Sequence, residues 1–587
     1  MRSHGAGNLT VDDVDTEVSV AGWVQKRRDH GGIAFFDLRD STGIVQVVAD
    51  PAEHDVVEEL KMEYCVRVTG TVRHRPEGTE NRDLATGMVE IGASAIEVLA
   101  PAKTLPFMID DRTEVDEHTR LQHRYLDLRR PRMAANLRAR SRATAAIRRT
   151  LDEMGFLEVE TPTLINSTPE GARDMLVPSR HRQGEFYALP QSPQLFKQLL
   201  MISGIERYFQ IARCYRDEDT RADRQLEFTQ LDMEGAFWDR DDVLETMEKV
   251  LAETVREIRG VEVTIPFQRL TWHETMDRYG VDKPDLRFGM EIVDLTPHLT
   301  ETDFAVFRGA IEEGATVRGI NAGEQDWSRA RADALTNRAK DLGAKGLVWM
   351  VVEEDGSMRS PVAKFLSEAE IDAIGEELEA GPGDVLLIAA DRWRTAVSVL
   401  GALRNDLGRP AGHEELAFLW VVDFPLFEED EDGSITFSHH PFTSPVSIEQ
   451  MRQDPENAIS KAYDAVVNGV ELGSGSIRIH DPAVQRQVFD ILGIDAETAE
   501  RRFGWFLEAL EYGTPPHGGF AFGIDRLVMV LQGESSIREV IPFPKTQTGV
   551  DPMTGAPTWV EATQLDELGI ELSAAARARQ AELAEET

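Results

Sequence analysis

The chain has 587 residues, a formal net charge of −41, 41% hydrophobic and 28% charged residues, and only two cysteines. That length allows three or four domains with ample core, and so acidic a body excludes tight sequence-blind nucleic-acid binding, because backbone phosphates reward clustered Lys and Arg. Cys65 and Cys214, far apart and each in an apolar strand-like run, exclude a disulfide framework and a cysteine zinc site; with no signal-like pattern in MRSHGAGNLT and no run of about 18 apolar residues, a cytoplasmic protein is expected.

Residues 1–104 read as five short strands: VSVAGWVQKR, GIAFFDLRD, GIVQVVAD, YCVRVTGTVRHR and GMVEIGASAIEVLA. A helix, AEHDVVEELKM at 52–62, falls between the third and fourth. That order fits a small Greek-key OB barrel, whose face commonly binds unstacked bases. Basic clusters survive the acidic average at Lys26, Arg27 and Arg28, at Arg73 and Arg75, and from Arg129 to Arg142. Phe35 and Phe36 are adjacent, so one points outward as a stacking platform while the other packs inward, unless a local bulge turns both into the core.

Residues 105–134 are charged and short of apolar periodicity, which suits a hinge. An Arg- and Ala-rich helix at roughly 135–154, ended by Gly155, leads into FLEVETPTL, where Pro162 argues for an edge or an interface. Next comes the hairpin-like stretch YFQIARCYRDEDTRADRQLEFTQLDMEGAF at 208–237. From about 286 to 415 the pattern changes to alternating helical and strand segments, which sets that stretch apart from 135–285 and 416–587 on either side. A Gly/Pro-rich turn, GTPPHGGFAFGIDRLVMVL from Gly513, joins a strand to an apolar helix beside Arg526, and the last twenty residues read as a surface helix.

In the 208–237 hairpin, Phe209, Ile211 and Tyr215 alternate on one face, answered by Leu231 and Met233. The opposite face carries Gln210, Ala212, Cys214 and Arg216, and then Gln230, Asp232 and Glu234. Taken alone, this is either a solvated sheet face or the floor of a polar site. An arginine at 526 can meet a phosphate bidentately while the glycines before it let a flat ligand approach the backbone.

The order of these segments resembles motifs 1, 2 and 3 of the class II aminoacyl-tRNA synthetases. STPEGARDM (167–175), ALPQSPQLFKQLLM (188–201), HHPFTSP (439–445), NGVELGSGSIRIH (468–480) and PFPKTQ (542–547) are similar to the bacterial-type aspartyl members, over essentially the whole chain. The resemblance implies an α/β (α+β) fold: an OB anticodon domain, a catalytic antiparallel sheet flanked by helices, and an inserted α+β domain. It also implies a homodimer with Pro162 at its interface.

By the same resemblance, Arg216 holds the α-phosphate of ATP, Arg526 the γ-phosphate, and Glu218 the adenine amino group. Asp217, Gln225, Glu471, Gly523, Ile524 and Asp525 complete the nucleotide site, and Gln225 with Arg221 meets ATP or the tRNA acceptor end. Lys197 and Arg478 pair the β-carboxylate of aspartate, Glu170, Gln194 and Asp232 surround its ammonium, and His439 and His440 line its pocket. Glu170 is expected to move as a lid. Metal binding by the two histidines is disfavoured, since neighbours on a strand face opposite ways. Asp464, near the end of a helical run closed by Asn468 and Gly469, and Glu471, opening the next strand, are expected magnesium ligands, the alternative being two solvated carboxylates.

On the barrel, the resemblance makes Phe35 the stacker and Arg28, Gln46 and Glu90 the anticodon readers. His30 stands where enzymes restricted to one tRNA carry Leu, and so predicts relaxed choice between tRNA(Asp) and tRNA(Asn), with a partner amidotransferase; a turn histidine without base contact is the alternative. The expected activity is ATP-dependent formation of aspartyl-AMP and transfer to tRNA. Its rivals are a strictly tRNA(Asp)-specific enzyme, an asparagine- or lysine-specific relative, and an inactive RNA-binding paralogue.

Overall fold

The computed structural model describes the chain except residues 168–170, 411, 413, 431, 432 and 587, and the side chains of 583–586. It divides into two compact units, Met1–Arg132 and Met133–Thr587.

In the first unit, strands Glu17–His30, Ile33–Arg39, Ile44–Ala49, Cys65–His74 and Val89–Ala100 close into a barrel. The first strand pairs antiparallel with the second and fourth, and the third runs parallel to the fifth. Alternate residues such as Val18, Val20, Phe36, Leu38, Val66 and Val68 fill the interior, as a half-buried strand dictates. Phe36 thus packs inside and Phe35 is half-buried on the other face. The expected helix at 52–62 shrinks to Val56–Glu59. Only Val57 and Leu60 reach the core, and the Asp50 carboxylate accepts from the Ala52 amide, a local turn that competes with helix.

The expected hinge at 105–134 carries its own order. Helices Glu117–Gln122 and Arg124–Asp127 accompany a small core of Phe107, Ile109 and Leu126. Its charges pair inward, with Arg120 and Arg124 gripping the buried Asp127.

The second unit is built on a mixed sheet of eight strands. In spatial order they are Gln268–Thr271, Phe418–Val422, Ala462–Val467, Val470–Ile477, His517–Gly523, Glu227–Ala236, Arg207–Tyr215 and Leu157–Glu158. The outermost pair at each end is parallel and the pairs between are antiparallel. Helices Pro131–Glu153, Arg240–Arg259 and Ile524–Gln532 supply Ile147, Leu151, Leu244, Leu251, Leu527 and Val528 to the main core against one face. The other face is left for polar side chains. Between the first two strands of that order, the chain makes a separate five-stranded sheet from Val293 to Asp391, with apolar clusters around Leu387 and around Leu386. Among the described residues no helix is long and apolar enough to cross a membrane.

Two local readings differ. FLEVETPTL forms only the two-residue edge strand Leu157–Glu158, and Pro162 lies beyond it, exposed; Thr161 instead donates to the Gln210 side chain. Asp464 lies in the middle of a strand, not near the end of a helix. Asn468 and Gly469, with φ of 52° and 77°, form a hairpin turn, which demands two positive φ values, rather than a helix cap.

Candidate active site

The hairpin Arg207–Tyr215 and Glu227–Ala236 places Asp232 opposite Gln210 and Glu234 opposite Tyr208. The next strand sets Gly519 against Glu234 and Ala521 against Asp232. Over this polar face opens a cavity of about 390 Å³, with walls from the start of helix Gln194–Ile202, the loop at His439 and His440, the strand Val470–Ile477 with Arg478, and the start of helix Ile524–Gln532.

At one end of the cavity four buried charges interlock. Lys197 Nζ donates to Asp232 Oδ2 at 2.8 Å and lies 3.2 Å from Glu234 Oε2. Arg478 meets Glu234 through Nε at 3.0 Å and Nη2 at 3.3 Å, and its Nη1 donates to Ser476 Oγ at 2.7 Å. Burial pushes the Glu234 carboxyl up, but Arg478 and Lys197 outweigh it and hold it below the ordinary range. Burial dominates at Asp232, whose pKa is raised despite Lys197. Glu234 had no role in the sequence reading beyond its place on the polar face. Its signal was the spacing of two from Asp232; its partner Arg478 is fixed only by the sheet topology. A Cβ at Gly519 would sit 1.8 Å from Glu234 Oε2, so this glycine leaves the room the carboxylate occupies.

Several buried polar atoms of residues lining the cavity have no partner among the described residues: Gln194 Nε2, Asp232 Oδ1, Arg216 Nε, His439 Nδ1 and His440 Nε2. Buried polar groups are nearly always paired, so donors and acceptors gathered this way suit a small ligand rich in both. His439 and His440 are on a loop rather than a strand, and both line the cavity instead of facing opposite ways. Burial, with Arg478 and Lys197 close by, pushes the His440 pKa down to about 3, leaving it a neutral ring.

The other end is arginine-rich. Arg216 follows the first hairpin strand with its guanidinium 5.1 Å from the Phe228 ring centre. Glu218 lies 3.4 Å from Arg224. Arg526 donates to the Glu471 carbonyl at 2.6 Å and reaches Asp223 at 3.5 Å. Gly523 and Asp525 line the cavity, but the Asp525 carboxylate accepts from Arg140 Nε at 2.9 Å and the Thr229 amide at 2.8 Å, a structural use. Ile524 is packed in the core. Asp217 is half exposed beside Arg173 and is not among the residues lining the cavity. Gln225 lines it with its amide turned to the Lys545 backbone. Glu170 falls outside the described residues.

Asp464 accepts from His439 Nε2 at 3.2 Å. Burial pushes its pKa up to about 6; His439 opposes this, and the Glu471 and Asp282 charges add to it. Carboxylates gathered this closely suit a hard divalent cation with oxygen ligands. Among the described residues no group of three or more His, Cys, Asp or Glu side chains is arranged to hold a metal, so such an ion would take its remaining ligands from water and substrate.

On the barrel, Arg28, Gln46 and Glu90 form a chain of contacts: Arg28 Nη2 to Gln46 Oε1 at 3.3 Å, and Gln46 Nε2 to Glu90 Oε2 at 2.8 Å. Phe35 pairs with Arg28 across the first two strands. His30 ends the first strand, exposed, before the Gly31–Gly32 turn.

A family model described as tRNA synthetases class II (D, K and N) matches residues 116–547, and one for the OB-fold nucleic acid binding domain matches 18–99. The chain is 53% identical over 583 residues to the aspartate–tRNA(Asp/Asn) ligase of Moorella thermoacetica, spanning 98% of this chain and 97% of that protein. It is 50% identical over 576 residues to the ligase of the same name from Thermobifida fusca, spanning 97% and 98%. Among solved structures, the asparaginyl-tRNA synthetase from Pyrococcus horikoshii complexed with asparaginyl-adenylate aligns with a TM-score of 0.56 at 20% identity, over 91% of this chain and 96% of that one, a likeness of fold.

Proposed function

Because the chain belongs to the class II tRNA synthetases of the aspartate, lysine and asparagine group, we propose that it is an aspartate–tRNA ligase acting on tRNA(Asp) and tRNA(Asn). The observation that carries the choice of amino acid is the buried set Lys197, Asp232, Glu234 and Arg478. The two cations meet the β-carboxylate of aspartate, and Asp232, whose Oδ1 accepts no hydrogen bond from the described residues, faces the ammonium. Asparagine would set its amide donors against those cations and leave buried charge unmatched, which discriminates strongly.

In the first reaction an oxygen of the aspartate α-carboxylate bonds to the α-phosphorus of ATP, the bond from that phosphorus to the bridging oxygen breaks, and pyrophosphate leaves with the electron pair. In the second, a hydroxyl of the terminal adenosine of tRNA attacks the aspartyl carbonyl and AMP departs. No protein nucleophile is needed. Alignment of the two anions supplies the rate, with effective molarities of roughly 10⁵ M or more for well-oriented groups. Arg216 steadies the α-phosphate as its charge grows, Arg526 the γ-phosphate, and Glu218 accepts from the adenine amino group. Asp464 and Glu471 would hold a magnesium ion, which when bound neutralises phosphate charge. An inactive RNA-binding role is disfavoured by this intact set of charged groups in one cavity.

The barrel face with Phe35, Arg28, Gln46 and Glu90 reads the anticodon, and His30 relaxes the choice between the two tRNAs. Exposed Leu157, Leu164, Leu176 and Phe186, around Pro162 in sequence, support a homodimer through this region. The enzyme works in the cytoplasm, and its aspartyl-tRNA(Asn) requires a following amidation of the attached aspartate. The test is aspartylation of purified tRNA(Asp) and tRNA(Asn) transcripts. Comparable rates are expected, with His30→Leu lowering only the second; a wild-type rate on tRNA(Asn) hundreds of times below that on tRNA(Asp) would end the relaxed-choice reading.

A further inference from the structure

The hairpin that bears Asp464 and Glu471 turns at Asn468 and Gly469. Its register slips once: Ala465 faces Gly473 and Val466 faces Glu471, so Leu472 is the extra residue. A bulge of this kind re-aims a side chain. Here it brings Glu471 opposite Val466, on the face that Asp464 shares by alternation. The turn just beyond the bulge is held from outside by both ends of the segment that carries the five-stranded sheet. On the exit side, Arg409 Nη2 donates to Asn468 O at 2.7 Å. Asn468 Nδ2 donates to Glu415 O at 2.8 Å, and its Oδ1 accepts from Ala417 N at 2.9 Å. On the entry side, the Asp285 carboxylate lies 3.5 Å from Arg409 Nε and accepts from Arg287 Nε at 2.9 Å and Nη2 at 2.6 Å. Arg287 Nη1 also donates to Gly412 O at 2.7 Å, which joins the two ends. Gly469 leaves the room they need, since an added Cβ would lie 3.2 Å from Arg409 Nη2 and 3.3 Å from Asp285 Cβ.

Behind these contacts the packing continues to the sheet. Helix Trp393–Gly408, which runs directly into Arg409, sets Val397, Leu400 and Leu403 in one cluster with Ile320 and Leu387 of the sheet. Its buried Arg404 donates through Nη2 to the carbonyls of Asp285 at 2.9 Å and Phe288 at 2.8 Å. Val281 and Leu286 of the entry segment pack with Ala462 and Val466, the neighbours of Asp464 on its face of the strand. We propose that Arg409 is a positioning residue: with Asp285 and Asn468 it forms a clasp through which the five-stranded sheet and its helix set the Asp464–Glu471 hairpin, and so govern the nucleotide end of the cavity. None of Asp285, Arg287, Arg409 and Asn468 is among the residues lining the cavity, so the clasp acts through the turn. Burial pushes the Asp285 carboxyl up, but Arg287 and Arg409 outweigh it and hold it below the ordinary range, which keeps an anion between the two guanidinium groups. The inference rests on the ligase reading for what the hairpin holds.

The test uses the full-length protein and its Arg409→Gln and Arg409→Lys variants; the Arg409 side chain is 43% exposed, so neither substitution opens the core. Hydrogen exchange is followed by mass spectrometry with and without ATP and magnesium, and aspartate-dependent ATP–pyrophosphate exchange is titrated with magnesium. Without ligand, Arg409→Gln is expected to speed amide exchange at 462–472 and at 283–289 together. In the wild type, ATP with magnesium is expected to slow exchange at 283–289, since a coupling between two places runs both ways; Arg409→Gln should abolish that slowing. The same variant should raise the magnesium concentration for half-maximal pyrophosphate exchange about tenfold, a typical cost of losing a residue behind a metal ligand, with the KM for aspartate unchanged. Arg409→Lys, which keeps a charge for Asp285 and a donor for Asn468, should fall between. Unchanged exchange at 462–472 in Arg409→Gln would overturn the proposal, as would faster exchange there with the magnesium requirement unmoved. A wild type in which ATP slows exchange around the cavity but not at 283–289 would overturn it too. A wild type with no aspartate-dependent activity would instead remove the ligase reading, and the ligand-free exchange data would still judge the clasp.

Discussion

Glu234 and Arg478 stand 244 positions apart in the chain and form a two-point ion pair, Nε to Oε1 at 3.0 Å and Nη2 to Oε2 at 3.3 Å, out of reach of water. The same carboxylate lies 3.2 Å from Lys197. One anion therefore aims both cations that face the amino-acid side chain. Replacing it by an isosteric amide removes the charge while keeping the shape. Glu234→Gln is expected to lower stability by about 3 kcal/mol, because breaking a buried pair leaves a charge uncompensated, and to raise the KM for aspartate far more than that for ATP. Urea denaturation and pyrophosphate exchange measure the two effects; equal loss toward both substrates would mean that Glu234 does not aim the cations.

Gly519 makes a sharper test of the same geometry, since it is not among the residues lining the cavity. Its added Cβ would overlap the Glu234 carboxylate and also approach the Met233 carbonyl at 2.2 Å. Gly519→Ala is expected to reproduce the aspartate defect of Glu234→Gln, and the two substitutions combined should cost less than their sum, as for groups acting through one contact. Strict additivity in a double-mutant cycle would separate the two residues.

The period-two alternation of the hairpin made its polar face legible, and with it Asp232 and Arg216, because a strand with one buried face must alternate. Asp464 was misread for the complementary reason. Its strand, Ala462–Val467, is buried on both faces, so no alternation marks it, and the Asn468–Gly469 turn reads equally as a helix cap. Two adjacent histidines carry no sign of whether their backbone is strand or loop; the resemblance puts both at the aspartate pocket, and metal binding there is disfavoured on the footing that they are strand neighbours, whereas they lie on a loop with both rings lining one cavity. Arg478, which pairs with Glu234, and the Lys545 backbone, which pairs with Gln225, lie hundreds of positions from those partners, and only the folded topology brings them together. The short helix at Val56–Glu59 shows propensity yielding to the few apolar contacts available to hold it.

His440 has a pH signature with a definite sign. In the folded chain its pKa lies near about 3, held down by burial and by Arg478 and Lys197, against 6.5 when free; Glu234 opposes this and the neighbouring His439 adds to it. Below 6.5 the unfolded chain takes up a proton that the folded chain refuses, so the stability present above 6.5 is lost progressively as pH falls toward 3. The His440→Gln variant lacks that loss. Denaturation at about pH 7.5 and about pH 5 should therefore show the wild type falling further than the variant; parallel declines would place the ring in water or in its charged form.

The most direct measurement is ATP–pyrophosphate exchange by the purified full-length protein, with aspartate, asparagine and lysine offered separately. A site that matches two buried cations to one side-chain carboxylate predicts exchange with aspartate and, with asparagine or lysine, rates lower by a factor of about 10³ or more. Exchange supported equally by asparagine, or by none of the three, would contradict it.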